Sequence, residues 1–562
     1  MTHWARSIWP AGAAGRATLR DRLVLPCYLL FGALYLFYWP HAEWVLDDWD
    51  TIQRFEQAHV QGPEAEWQLA RALARNQVWG TSRTDWFSYV FLFGLYHIAG
   101  PHPGFYLFLG ILLHVAVGYC LRRALVRLEF SESLGFLAGA LFLLLPTVHN
   151  PLFWFLSCGQ YLFAAFWFLI YLHSVAGTVV TGRLELPAAL LQVLVLTLAL
   201  FSTDQVTALL LFTAPWIAVC WRSWTALAAS VLAWSTILVA GGLYFGLVDK
   251  APLAASVAAT FDFRVTRVLR NLCALGADYG KLVGFGNGYY QVSLIGWGGA
   301  AALGAGLAAF WWLRTASNEG RSRSLRASLF GAGLWVLAYG PVWFLRWREL
   351  RYDYLPSLGL SVVVAVVCVA LVPRCRRRLV MVGGSLLVAY GAATAIADIQ
   401  QCWRPQSRNI QAIKQQLRRL KGVSYHDIVV ISNAPMQIGT APHFAMTLSH
   451  ISRPFVETVT GVWGLVVGRE IFCESGRLAL QHTDFMHELK WDDVGRTHLL
   501  VCDTVSNCGP RSLLACETGP GRYEVYILKG SFGSPRTAGR AFSREDLGPL
   551  KKDIYFARHH LP

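Results

Sequence analysis

Charge is scarce in this chain. Only 15% of its 562 residues are Asp, Glu, Lys or Arg, while 55% are hydrophobic; soluble globular chains carry about 25% charge. No internal repeat and no low-complexity tract is present. The glycines Gly476, Gly519 and Gly521 lack the strand–loop–helix setting of a phosphate-binding fingerprint, which excludes a nucleotide loop of that type. Of the twelve cysteines, seven fall in or near apolar runs, and the five at Cys402, Cys473, Cys502, Cys508 and Cys516 do not fall at zinc spacing. No small-residue cleavage site follows the first apolar run, so that run is read as an uncleaved anchor that starts in the cytoplasm.

What is present is a series of long apolar runs. Mean hydropathy is +0.40, and runs of about 17–25 residues recur from Leu23 to Ala397. These predict a polytopic α-helical membrane protein. Its two expected parts are a transmembrane domain at 1–398 and a mixed polar domain at 399–562. The net charge of +15 is explained by arginines in short loops, the usual positive-inside bias, and not by nucleic acid.

Taking the first helix from inside to outside, Thr51–Arg75 is predicted as one or two interfacial helices. Trp86–Ala99 is short for a span and is expected to lie in the interface. The following runs then alternate: 104–121, 134–146, 152–176, 186–202, 206–221, 224–247, 291–313, 328–345, 356–372 and 379–397. That gives about eleven transmembrane helices and an extracytoplasmic C-terminal domain. Strand-like runs at Asp427–Ser432, His498–Cys502 and Tyr523–Leu528, with a helical stretch at Asn409–Leu420, make that domain α/β or α+β. Cys502, Cys508 and Cys516 could include a disulfide on an oxidising side.

Two clusters stand on the outer side of this topology. Asp47, Asp48 and Asp50 follow the first span, where carboxylates beside a bilayer are costly and mark a functional site. Arg346, Arg348 and Arg351 break the charge bias on the same side. A carboxylate can take a proton from an acceptor hydroxyl. Guanidinium groups can hold two phosphate oxygens and stabilise a departing phosphate. The pair of clusters therefore points to group transfer from a lipid-linked phosphate.

These residues resemble the GT-C superfamily of membrane glycosyltransferases that use polyprenyl-phosphate sugars, such as protein O-mannosyltransferases and the lipid A aminoarabinose transferase. Asp47-Asp48 is similar to the family's acidic motif. Trp86–Gly100 resembles its interfacial helix, and Pro103–Tyr106 with His114 its next span. Pro146-Thr147-Val148-His149-Asn150-Pro151 resembles an outer turn, and Arg351-Tyr352-Asp353-Tyr354-Leu355-Pro356 a late one. Where several relatives carry Lys-Glu, this chain has Ser202-Thr203-Asp204-Gln205.

The resemblance implies an inverting glycosyltransferase acting on a polyprenyl-phosphate-linked sugar donor and a hydroxyl acceptor (protein, lipid or glycan). Asp47 would be the base and Asp48 its partner. Arg351, Arg348, Arg346, Tyr352, Tyr354, Arg83 and His149 would form the substrate-binding set. For His97, His114 and His149, which lie along apolar runs, a hydrogen-bonded packing role is the better reading. Asp50 suits a helix N-cap. Asp47 and Asp48 are hard ligands able to hold Mg2+ or Mn2+ in a metal-dependent member. The expected partners are the donor, the acceptor and membrane lipids, without nucleic acid. The expected location is a bacterial inner membrane with the site periplasmic. Two other readings remain open: a ligase or polymerase using a lipid-pyrophosphate glycan, and a transporter or flippase of lipid-linked sugar.

Overall fold

A computed structural model of the chain describes residues 19–44, 48–74, 86–155, 158–247, 263–272, 318–344, 350–371 and 377–419, together with strands and short pieces between 428 and 528. It divides into two compact units: Met1–Pro40 with Trp67–Ala397, and His41–Glu66 with Asp398–Pro562.

The first unit is helical. Its helices are α1 (Leu19–Ala33), then α4 (Trp86–Ala99), α5 (Pro103–Arg127), α6 (Glu132–Leu144), the short α7 (His149–Phe153), α8 (Phe163–Thr181), α9 (Leu186–Leu200), α10 (Thr207–Trp221), α11 (Trp224–Leu247), α12 (Asn318–Ala338), α13 (Tyr354–Leu371) and α14 (Arg377–Asp398). The intervening α2 (Asp48–Gln61) and α3 (Pro63–Ala74) break at Gly62, whose φ of +101° is a conformation that L side chains avoid.

Among the described residues, five helices are long and apolar enough to cross a membrane: Leu23–His41, Pro103–Arg127, Gly159–Thr181, Asp204–Trp221 and Trp224–Tyr244. Shorter apolar helices lie at Phe87–Ala99, Glu132–Leu144, Leu186–Leu200, Leu325–Ala338 and Tyr354–Val369. Their length and composition identify an integral membrane protein. The expected run at 291–313 lies outside the described residues.

Two expected spans are redrawn. The run 152–176 is not one helix: α7 ends at Phe153, a π turn occupies Cys158–Leu162, and α8 continues to Thr181. The run 328–345 ends as a helix at Ala338, because Gly340 and Pro341 follow and proline disfavours helix at the residue before it.

Packing follows the sequence of helices. The α5 helix rests on α1, α6 and α8, while α13 rests on α6 and α12. The α12–α13 contact is close because both helices present glycine there. A Cβ on Gly359 would stand 2.5 Å from the Gly331 carbonyl oxygen, and one on Gly331 would stand 3.0 Å from Val362. Small residues let helices approach in this way where lipid provides no hydrophobic drive. At the other end of α5, buried Arg122 pairs with Glu132 at 2.5 Å, in the first turn of α6, and Ser131 caps that helix at Leu134 N.

The second unit contains α2, a π turn at Ile399–Trp403, α15 (Arg404–Arg419) and strands. Ile52, Phe55 and Ala58, spaced for one helical face, are buried. A five-stranded sheet has the order β5-β6-β4-β1-β7, using β1 (Ile428–Ser432), β4 (Val466–Cys473), β5 (Met486–Asp493), β6 (Arg496–Asp503) and β7 (Glu524–Leu528). Among the described strands, the β1–β4 pair is parallel, with Val429 opposite Val467, and the other pairs of this sheet are antiparallel. A separate hairpin joins β2 (Gln437–Thr440) to β3 (His443–Met446). Asp492 and Asp493 end β5, and β6 begins at Arg496. Cys502 lies in β6, whereas Cys508 and Cys516 lie outside the described residues.

Candidate functional site

Three turns of the first unit, far apart in sequence, meet in one buried polar network. The 3-10 turn Leu350–Asp353 leads into α13 at Tyr354. Gln205, in the 3-10 turn Asp204–Val206, donates its side-chain amide to the carbonyls of Tyr352 (2.7 Å) and Ala338 (3.2 Å). Thr147, in the turn Pro146–Val148, shares a 2.6 Å hydrogen bond with the Ser357 hydroxyl. Ser357 in turn donates to the Asp353 carbonyl at 2.7 Å. The Asp353 carboxylate accepts from the Tyr339 hydroxyl at 2.6 Å, and both residues are buried.

The next layer is aromatic. His114 of α5 bonds the Tyr354 hydroxyl at 2.9 Å and the Leu143 carbonyl at 3.3 Å. Tyr35 donates to the same carbonyl at 2.5 Å and meets His114 and His149 edge-on, with centroids 5.9 and 5.5 Å away. Tyr352 lies 6.2 Å from the Tyr161 ring. The start of α4 is tied in nearby: Phe87 N donates to Phe201 O, and the Ser88 hydroxyl reaches the carbonyls of Gly159 and Ser202. Asn271 donates to the carbonyls of Val342 and Trp343, which pins the helical segment carrying Arg267 and Arg270 against the turn 341–344.

The sequence-predicted residues fall as follows. Tyr354 and His149 are buried in the network, and Tyr352 is half-buried. Arg351 belongs to the clamped turn by its backbone. Asp48 opens α2 in the second unit and is buried. Asp50 does not cap that helix, because the helix begins two residues earlier. Asp47, Arg83, Arg346 and Arg348 lie outside the described residues. His114 and His149 are buried, and His97 is exposed in the last turn of α4.

Sequence reasoning missed Gln205, Tyr339 and Asp353 as the clamp. The only trace of it was that Gln205 closes the Ser-Thr-Asp-Gln turn and Asp353 sits inside the Arg-Tyr-Asp-Tyr-Leu-Pro motif. It also missed Glu43 and Lys414, which pair in the second unit at 2.5 Å. In that unit Lys414 also lies 4.8 Å from the Trp49 ring, and Trp49 donates to the Trp44 carbonyl at 3.1 Å. Asp47, the other carboxylate expected to ligate Mg2+ or Mn2+, lies outside the described residues, and no step below is routed through a cation.

No family model matches the chain, and no curated protein does. Among solved structures, it is similar to ArnT from Cupriavidus metallidurans, a crystal structure with bound undecaprenyl phosphate. The two are 13% identical, the match covers 86% of this chain and 99% of that one, and the TM-score is 0.40. A likeness that loose carries no argument about the site.

Proposed function

We propose that the protein is an inverting glycosyltransferase of the GT-C type, which moves a sugar from a polyprenyl-phosphate donor to a hydroxyl acceptor at the outer face of a bacterial inner membrane. The supporting observation is the convergence of turns 146–148, 204–206 and 350–353 in one network that fixes the backbone around Arg351. A rigid base of this kind suits a phosphate-binding guanidinium, because binding groups act best when their supports are already ordered. The acceptor oxygen attacks the anomeric carbon in line, and Asp47 takes its proton. The bond to the phosphate oxygen breaks, and polyprenyl phosphate leaves with its charge held by Arg351 and a neighbouring arginine.

The test is turnover by purified protein in detergent, with polyprenyl-phosphate sugars as donors and released polyprenyl phosphate as the readout. Detergent removes the compartments that transport needs, so turnover separates this reading from a flippase. The expected result is that Asp47→Asn abolishes release and leaves donor binding intact. Labelling that placed Asp47 and Arg351 on opposite membrane faces would defeat the proposal.

A further inference from the structure

The segment that carries the acidic motif is gripped by residues from the far end of the chain. Glu43 is buried, and its carboxylate meets Lys414 Nζ of α15 at 2.5 Å, across 371 positions of sequence. The same ammonium lies 4.8 Å from the Trp49 ring centroid, close enough for a cation–π interaction. Trp49 is 2% exposed, and its indole N–H donates back to the Trp44 carbonyl at 3.1 Å. The Trp49 ring also meets Phe455 edge-on at 4.8 Å. Glu43, Trp44 and Trp49 are thus all held, and Asp47 and Asp48 lie between them in sequence.

Stability alone is a poor explanation for this arrangement. Taking a lysine and a glutamate out of water costs several kcal/mol, and apolar side chains of the same size would hold such a contact about as well. What the ion pair provides is direction. It sets where Glu43 stands against α15, because a shift would leave the buried Glu43 carboxylate without the half-buried Lys414 ammonium. The α15 helix itself is seated by buried Ile410, Ile413 and Leu417, so Lys414 projects from a fixed base.

We propose that Lys414 is a positioning residue for the acidic turn. With Glu43 and Trp49 it fixes the start of α2, where Asp48 lies, and the second unit is thereby required for transfer. The inference rests on the reading of Asp47 as the base. Proton transfer at a displaced base is slow, and a misplacement of about 1 Å costs on the order of 10²-fold in rate.

The experiment uses the full-length protein in detergent. Lys414→Met is expected to lower kcat on the order of 10²-fold, with donor KM within about two-fold of the parent. Lys414→Arg keeps the pair and the ring contact and is expected to restore most of the rate. In hydrogen exchange followed by mass spectrometry, Lys414→Met is expected to raise exchange selectively in the peptide covering 44–55.

A kcat within two-fold of the parent, or a loss confined to KM, would overturn the inference. If Lys414→Met is not recovered folded, the swap Glu43→Lys with Lys414→Glu takes its place. It rebuilds the pair without the ring contact, and a rate below that of Lys414→Arg but measurable is expected, whereas full activity would overturn the role of Trp49. If the parent itself turns over no polyprenyl-phosphate sugar, the functional reading fails. Unchanged exchange at 44–55 is the separate result that defeats the positioning claim.

Discussion

Gln205 donates to the main-chain carbonyl of Tyr352 at 2.7 Å across 147 positions of sequence, and its second hydrogen reaches Ala338 at 3.2 Å. One buried side chain therefore satisfies two carbonyls at the ends of two different elements. Its own Oε1 has no hydrogen-bond partner among the described atoms, so the amide faces the clamp through its nitrogen. Gln205→Leu removes both bonds and is expected to destabilise the protein by about 2–3 kcal/mol. Gln205→Glu should be worse, because it sets a carboxylate against two carbonyl oxygens. Thermal unfolding in detergent gives the order, and donor KM should rise in parallel as the turn bearing Arg351 loosens. A Gln205→Glu protein as stable as the parent would show that the clamp is not formed.

Tyr339 and Asp353 form the other half of the clamp at 2.6 Å, with Trp335 and Trp343 packed around the tyrosine ring. Tyr339→Phe removes the hydroxyl and leaves a buried carboxylate short of one donor, at an expected cost of about 1.5–3 kcal/mol. Asp353→Asn in the same background should cost less than the sum of the two single changes, since residues in one hydrogen-bond network do not act independently. A double-mutant cycle on unfolding midpoints measures the coupling, and strict additivity would deny it.

Much of this architecture is legible in composition and spacing. The helix Trp86–Ala99 has the bounds that its apolar run implies, and Trp224–Leu247 likewise. Ile52, Phe55 and Ala58 announce the buried face of α2 by their spacing. Strands β4 and β5 escape because Val466–Cys473 and Met486–Asp493 mix charged and apolar residues without strict alternation. The break after Phe153 escapes because hydropathy averages over a window and does not register a π turn. The clamp escapes for a different reason. A hydrogen bond from Gln205 to a main-chain carbonyl leaves no mark on the partner residue's type, and the Glu43–Lys414 pair joins residues whose separation carries no period. Long-range pairs of this kind are decided by tertiary folding alone.

Glu56 lies half-buried on α2, one turn before His59, and burial raises its carboxyl above the usual carboxylate range. The sign of the consequence follows from linkage. A carboxyl with a raised folded-state value favours folding when protonated, so its stabilising effect is full below the unfolded value of about 4.5 and fades as pH rises through the folded value. Near neutral pH the ionised group opposes folding. Glu56→Gln is therefore expected to raise the unfolding temperature at pH 7–8 by about 1–3 °C, with little effect at pH 4. Unfolding curves for both proteins across this range test it, and a lower midpoint for Glu56→Gln at pH 8 would contradict the burial argument.

Cys402 sits in the π turn that precedes α15, 4% exposed, and burial with a contribution from Asp398 pushes its thiol up to about 12. The reactive form of cysteine is the thiolate. At pH 8 a thiol of that acidity is ionised in about one molecule in 10⁴, and burial hinders access further. Cys402 is expected to resist maleimide in the folded protein at pH 7–8 and to react fully after denaturation. Mass spectrometry of tryptic peptides separates it from the half-buried Cys27, Cys120, Cys220 and Cys368. The same shift bears on stability, because the unfolded thiol ionises near 9 while the folded one stays protonated. Its contribution is intact below pH 9 and is lost progressively between about 9 and 12. Cys402→Ser would remove that alkaline component. Rapid maleimide labelling of Cys402 in the native protein would mean that the turn before α15 is open, and the seat from which Lys414 reaches Glu43 would then be loose as well.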